Sequence, residues 1–512
     1  METGEDTGGE TVAVVRDPLV DPFRQRWQKV RDWWEPRTAL RTTVPRLAAM
    51  VVAVVYFVIF YRLVWLRHEN FGTFDYDLGM YDQGIWLLSR GSGFMTVRGM
   101  QVFGHHANLG YLLFVPAYWL GAGPHFLNFM NTLGVVSCVI PVYLLGRHHL
   151  RSDWAGFWLS VAFLFHYVPQ WMIQETFHPE NLAAPFIIGA FWFATTKRWK
   201  PYWWCIALAL IWKEDVALVV AMMGILVFFM FGDRRRGVWT SAIGVGWFLI
   251  ATKAIIPFFS PDGAVFDNLF GALGASATDV VVTMVRHPAL AGKTLIDHGA
   301  DKGAYQMMRP FAFAAIPSPH VLLLGLPQHV VNYLSAQNFT WNTTAHYAMF
   351  PYVAITLASI RTVATRSRRF IQWGVIVAML AGVALTVNEG VGPWSTQYSS
   401  GIWPYNDTPE HAAVRDLITK VPDGAVVSAD YYIVPHLSHR HEIYTYPNPW
   451  ISSNFGVGGK PVRSPSRVEY VIARRGPMQG ELAKLFDSLL AGPEFEVVGQ
   501  HADLYLLKRV RS

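Results

Sequence analysis

Cysteine is almost missing: the 512-residue chain has two, Cys138 and Cys205. Both fall in apolar stretches without metal-ligand spacing. They exclude a disulfide framework and a cysteine-ligated metal, and read as packing residues. Charge is also scarce. Only 15% of residues are Asp, Glu, Lys or Arg, against 52% hydrophobic. A soluble chain carries about a quarter charged, so this balance excludes an ordinary soluble protein and fits one that crosses a membrane many times. The net charge of +6 is no nucleic-acid signal, because the basic residues stand in short clusters between apolar runs. No repeats or low-complexity segments stand out beyond the Gly- and Glu-rich first ten residues, which are expected to be disordered. Polar residues 1–44 precede the first apolar run, so no cleavable signal peptide is read.

What is plentiful is aromatic: 21 Trp, 21 Tyr and 33 Phe, as expected where rings sit at membrane interfaces. An apolar run of about 20 residues crosses a bilayer. Spans are read near 45–66, 125–146, 153–172, 181–196, 201–213, 215–232, 237–257, 345–362 and 370–388. Residues 310–333, broken by Pro317 and Pro319, read as a hairpin of two short helices. The expected fold is an α-helical polytopic membrane protein of about eleven helices. Lys and Arg concentrate in cytoplasmic loops. Clusters before residue 46 and at Arg147/Arg151, Lys197–Lys200, Arg234–Arg236 and Arg361–Arg369 share one side if residues 108–121 do not cross fully. This places residues 1–44 inside as a basic segment, and loops 67–124 and 258–309 outside. Residues 45–390 form the membrane part. Beyond it, residues 405–512 read as a small extracytoplasmic α/β domain. Thr408 and Pro409 open a helix there, Ala425–Ser428 and Val468–Ile472 read as strands, Glu481–Leu490 as an amphipathic helix, and 495–508 as a closing hairpin.

Candidate chemistry gathers at the ends of the spans, on the side read as external. Asp75, Asp77 and Asp82 follow the first span. Carboxylates this close raise one another's pKa, which suits a general base or a cation site. Asp77 is equally placed to cap a helix from Leu78. His105 and His106 end the same loop, where histidines ligate metals or donate to phosphate or simply make interfacial hydrogen bonds. His178 and Glu180 flank Pro179 at the next external turn, where pure turn chemistry is the alternative. Lys213-Glu214-Asp215 interrupts a long apolar stretch. Charges at that depth need a polar cavity or a turn, and a Lys in a cavity suits an anionic phosphate. Arg309 and His346-Tyr347 are weaker additions. Random capping would scatter over both faces. Convergence on one face fits transfer from a lipid phosphate, with a carboxylate deprotonating the acceptor and cations stabilising the departing phosphate.

The pattern Asp77-Leu78-Gly79, Asp82-Gln83, Trp86, His106, Pro116, His178-Pro179-Glu180 and Lys213-Glu214-Asp215 resembles a bacterial polytopic membrane family known as a domain of unknown function. That family is similar to the GT-C superfamily of polyprenyl-phosphate-sugar glycosyltransferases. The resemblance covers roughly residues 45–390. It implies a multi-pass protein of the cell membrane that takes a sugar from a polyprenyl-phosphate donor and transfers it to a cell-envelope acceptor on the external face. It makes Asp77 the catalytic base, with Asp75 or Asp82 as alternatives. Lys213 and Arg309 would contact phosphate, with His106, His178, Glu180 and Tyr347 binding substrate. Some relatives need a divalent cation, for which His105, His106 and Glu180 are the ligands to consider. Lys213 is followed by Glu214-Asp215 rather than the Gly-Pro of related transferases. The rival readings are a transporter or flippase for a lipid-linked or anionic solute, and a non-catalytic envelope scaffold. Transporters usually place ionisable residues near the midplane within internal repeats, and neither is read here.

Overall fold

The computed structural model describes residues 21–265, 269–274, 277–457 and 463–510. The reading of the first ten residues lies outside them. Among the described residues four helices are long and apolar enough to cross a membrane: Thr43–Glu69, Pro124–Leu150, Arg234–Phe259 and His346–Thr365. Shorter apolar helices cover Asp153–Phe165, Val216–Phe229 and Arg369–Leu385. Burial orders them. The apolar window of His346–Thr365 is 83% buried, that of Arg234–Phe259 only 17%. The first is therefore the centre of the bundle. The second turns Leu249 and Ile250 outward, tolerable only against hydrocarbon.

Helices Val216–Phe229 and Arg234–Ile250 touch backbone to backbone. A Cβ on Gly224 would lie 2.4 Å from the Ser241 nitrogen, and one on Gly244 would lie 2.6 Å from the Ala217 oxygen. Such small-residue contacts let membrane helices approach closely. The span read over 153–172 is divided instead. The Asp153–Phe165 helix stops at His166, whose extended ψ of 147° breaks the ladder and whose Nδ1 caps Val168. Residues 108–121 form two five-residue pieces, Leu109–Leu113 and Val115–Trp119, neither long enough to cross. The Pro-rich hairpin is reduced to Pro319–Leu322 and Leu326–Leu334.

The loop after the first span carries a small hairpin, β1 (Phe94–Met95) with β2 (Met100–Gln101). The tail builds a five-stranded sheet from β3 (Val427–Ala429), β4 (Ile443–Thr445), β5 (Tyr470–Arg474), β6 (Phe495–His501) and β7 (Leu504–Arg509), in the order β4-β3-β5-β7-β6. β4, β3 and β5 are parallel, and β7 and β6 complete the sheet antiparallel. Helix Pro409–Thr419 starts at Thr408, whose hydroxyl accepts from the His411 amide. Ile443, Ile472 and Leu506 belong to the same apolar cluster as Phe60 and Ile85. The sheet is thus seated on the first loop, not tethered beside it. Thr96 Oγ1 donates to the Ile443 oxygen and accepts from its amide, both at 2.8 Å.

Candidate functional site

The first wall of the site is the stretch after Glu69. Asp77 has φ 65° and ψ −92°, close to the γ-turn geometry that is rare and strained for a residue with a Cβ. Strain of that kind persists only where the surroundings over-determine it, and here they do. The Asp75 amide donates to the Tyr431 oxygen at 2.8 Å. The Asp75 carboxylate accepts from Thr445 Oγ1 at 2.6 Å. Arg98 lies over the Tyr76 ring. Held at Asp75 by the tail, the chain turns sharply and presents Asp77. The capping alternative is not what is seen: helix Met80–Ser89 has no side-chain cap.

The second wall is the turn before helix Pro179–Thr195. His178 is buried, its amide donating to Asn131 Oδ1. Its Nε2 stands 3.5 Å from Asp77 Oδ2. The two set each other's charge. Burial pulls the His178 pKa down, but the Asp77 carboxylate, together with Glu175 and Glu180, more than offsets it and carries it up to about 9. Burial pushes Asp77 up, and His178 more than reverses it, leaving Asp77 below the usual carboxylate range. At neutral pH the pair is carboxylate and imidazolium.

From His178 the polar groups run on without a gap. Its ring stacks on His346 at 3.8 Å. His346 Nδ1 is 3.3 Å from Glu175 Oε2, and its Nε2 is 3.8 Å from Glu180 Oε1. Glu180 accepts from Lys213 Nζ at 2.5 Å, and Asp215 stands 3.5 Å from the same nitrogen. Lys213 also lies 5.8 Å from the Tyr347 ring centre. Glu214 turns the other way and binds His106 Nδ1 at 2.6 Å and the Ala107 amide at 3.1 Å. Asp77, His178, Glu180, Lys213 and Tyr347, remote in sequence, thus surround one region, with His106 behind Glu214. Several buried atoms there have no hydrogen-bond partner among the described residues: His178 Nε2, His346 Nδ1, Glu180 Oε2 and Asp215 Oδ1. Buried polar atoms in native proteins are nearly always satisfied, and orphans mark a place for water, an ion or a ligand.

Other expected residues stand elsewhere. The three carboxylates of the first loop diverge. Asp75 faces Thr445. Asp82, fully buried, accepts from Tyr118 and Ser438 at 2.6 Å each and meets His439 at 3.0 Å. For Asp75, mutual repulsion is a minor cause: burial is the main one raising it, and Asp77 adds little. Arg309 is paired with Glu389, while Lys213 is held by Glu180 and Asp215. Lys213 does not reach into open space; Glu180 and Asp215 already hold its charge. Glu175 was absent from the sequence reading, although its place three residues before His178 is a usable signal. The tail partners Thr445 and Ser438 left no signal, since nothing in sequence links them to residue 77.

His105, His106 and Glu180 are not drawn together as ligands, because His106 is taken by Glu214 and Glu180 by Lys213. Another set is. Donor atoms of Glu175, His178 and His346 lie within 4.8 Å of one another. Two imidazoles and a carboxylate make a set suited to Zn²⁺ or a similar ion, and His346 Nδ1, 3.3 Å from Glu175 with no hydrogen bond formed, fits that use. Ligation needs a neutral imidazole, so such an ion and the proton on His178 exclude each other.

The fold has solved counterparts. The structure is similar to ArnT from Cupriavidus metallidurans bound to undecaprenyl phosphate, with TM-score 0.52 and 14% identity over 90% of this chain and 98% of that one. The apo state of the same protein gives TM-score 0.53 and 14% identity, over 91% and 97%. A fainter likeness, TM-score 0.39 at 12% identity over 83% and 69%, is to the apo oligosaccharyltransferase of Archaeoglobus fulgidus. No curated protein matches. The ArnT likeness shows the mostly helical, GT-C-like fold expected from the sequence, and nothing finer. The family described as "Predicted membrane protein (DUF2079)" matches residues 67–485, and the chain belongs to it.

Proposed function

We propose that this protein is a membrane glycosyltransferase. It moves a sugar from a polyprenyl-phosphate donor to a cell-envelope acceptor at the external face of the cell membrane. The observation that carries the reading is Asp77, held in a strained turn against His178 at the mouth of a buried cluster with unsatisfied polar atoms. The ArnT neighbour, solved with undecaprenyl phosphate, supports a lipid-linked donor. About eleven crossings, an internal N-terminus and an external tail complete the arrangement that the basic clusters suggest.

In this reading the acceptor hydroxyl is held by the Asp77 carboxylate. Its oxygen bonds to the anomeric carbon as the bond from that carbon to the phosphate oxygen breaks. The hydroxyl proton passes to Asp77, and the phosphate leaves on the lipid. A carboxylate held below its usual range is always ionised but a weak base. Asp77 therefore orients and polarises the hydroxyl and takes its proton late. The His178 imidazolium, beside the reacting groups, offsets the negative charge growing on the phosphate. Lys213, already paired, holds Glu180 and the Glu175–His346 side in place. A divalent cation on Glu175, His178 and His346 would supply the same charge stabilisation in place of the His178 proton.

The test is transfer by purified protein from native envelope lipids, with envelope glycans profiled in a producing strain. Asp77→Asn removes the proton acceptor with little change of shape. Transfer falls by about 10²–10⁴-fold with the protein present at normal level. An unchanged glycan profile removes Asp77 from the mechanism.

A further inference from the structure

A second site lies at the far end of the first span and does not depend on the reading above. An apolar groove of about 510 Å³ runs between helix Thr43–Glu69 and helix Pro124–Leu150. It is lined by residues such as Ala49, Ala53, Val54, Leu133, Ser137 and Ile140. Val54 and Ile140 are 60% and 63% exposed. The Ser137 hydroxyl is turned back onto the Gly134 oxygen, so it offers the groove no free donor. Apolar surface of this shape between spans takes a hydrocarbon chain.

The groove has a charged end. Arg46 is one of its lining residues, and Tyr143 another. Arg46 Nε, Arg147 Nε and the Tyr143 hydroxyl all converge on one oxygen, Asp153 Oδ1, at 2.9, 3.3 and 2.7 Å. One carboxylate therefore faces two guanidinium groups and leaves a unit of positive charge over. The hydrogen bond to Asp153 comes from Arg46 Nε, Arg147 Nε stands slightly farther from the same oxygen, and the Arg46 guanidinium also faces the Tyr143 hydroxyl. Both side chains are 44% exposed. Planar forks presented side by side match the oxygens of a phosphate.

The geometry points to a binding site for an anionic phospholipid, with its phosphate on Arg46 and Arg147 and one acyl chain in the groove. The occupant is a lipid rather than free phosphate, because the cations open directly onto apolar surface. It is a bulk lipid rather than a sugar donor, because Arg46 and Asp77 lie at opposite ends of the first span, about 35 Å apart along its axis. Basic pockets between spans are a recognised mode of headgroup binding. The lipid ties the first span to the turn before Asp153 and couples stability to membrane composition.

The test is native mass spectrometry of the full chain released from vesicles of equimolar phosphatidylcholine and phosphatidylglycerol. The wild type retains one phosphatidylglycerol with a preference of about tenfold. Arg46→Gln with Arg147→Gln removes the preference, and Arg46→Lys with Arg147→Lys keeps part of it. Ala53→Phe fills the groove, leaves the Asp153 network untouched, and abolishes retention; it decides the matter should the double glutamine variant fail to fold. Equal retention of both lipids by the wild type overturns the proposal. So does wild-type retention by the Ala53→Phe protein, or displacement of phosphatidylglycerol by an equal amount of undecaprenyl phosphate.

Discussion

Thr445 Oγ1 donates to Asp75 Oδ2 across 2.6 Å, joining the end of a tail strand to the residue two before Asp77. With the Asp75 amide on the Tyr431 oxygen, it fixes the turn that aims the candidate base. Thr445 touches nothing in the cluster itself and acts by position. Thr445→Val keeps the shape and removes the donor. It costs about 1 kcal/mol of stability but lowers transfer by about 10- to 100-fold, since misplacing a reacting group by an ångström is expensive. Thr445→Ser restores the rate. Activity of the valine variant equal to wild type, at matched thermal stability, would show that the tail does not position Asp77.

The backbone at Asp77 makes a second expectation. Glycine adopts positive φ without the clash that a Cβ meets. Asp77→Gly therefore relieves local strain and raises stability by about 1 kcal/mol while abolishing transfer. Thermal unfolding of the two proteins in the same detergent checks the sign. A less stable glycine variant would mean that the Asp77–His178 contact outweighs the strain.

The sequence makes some of this legible for physical reasons. Long apolar runs read as spans 45–66 and 237–257 fall within the helices Thr43–Glu69 and Arg234–Phe259, because composition alone decides whether a helix can sit in hydrocarbon. His178-Pro179-Glu180 and Lys213-Glu214-Asp215 are visible because charge in an apolar stretch demands a partner. The partners themselves are not. That Glu180 holds Lys213, that Glu214 turns back to His106, and that Asp82 leaves the cluster for Ser438 follow from packing between elements 33, 108 and 356 residues apart. β4, three residues long, carries too little pattern to be read as a strand. It nevertheless supplies Thr445.

The Glu175, His178 and His346 set makes the metal question measurable. A divalent ion on this set displaces the His178 proton, and protein purified without chelator then carries about one such ion per chain, as a three-donor site with open positions does. Glu175→Gln and His346→Gln each reduce the bound metal, read by elemental analysis, and both lower transfer. His105→Gln leaves the metal content unchanged. Metal-free protein with full transfer activity would leave charge stabilisation to the His178 proton alone.

The buried Asp82 gives a pH dependence away from the cluster. His439 Nε2 stands 3.0 Å from Asp82 Oδ2, whose second oxygen accepts from Tyr118. Burial lowers the His439 pKa, but Asp82 more than offsets it and Arg90 opposes only weakly, so the net direction is upward. His441 and His439 both pack on Trp86, and Ser438 shares the Asp82 oxygen. A histidine whose folded pKa lies above its unfolded value of about 6.5 stabilises the fold in full below that pH. The contribution fades as pH rises through the folded value. The gap in unfolding temperature between wild type and His439→Gln is therefore widest near pH 6 and closes toward alkaline pH. Because this contact joins the tail to helix Met80–Ser89, limited proteolysis of the tail follows the same trend. Melting curves of the two proteins that run parallel across the range would show that His439 is not charged against Asp82.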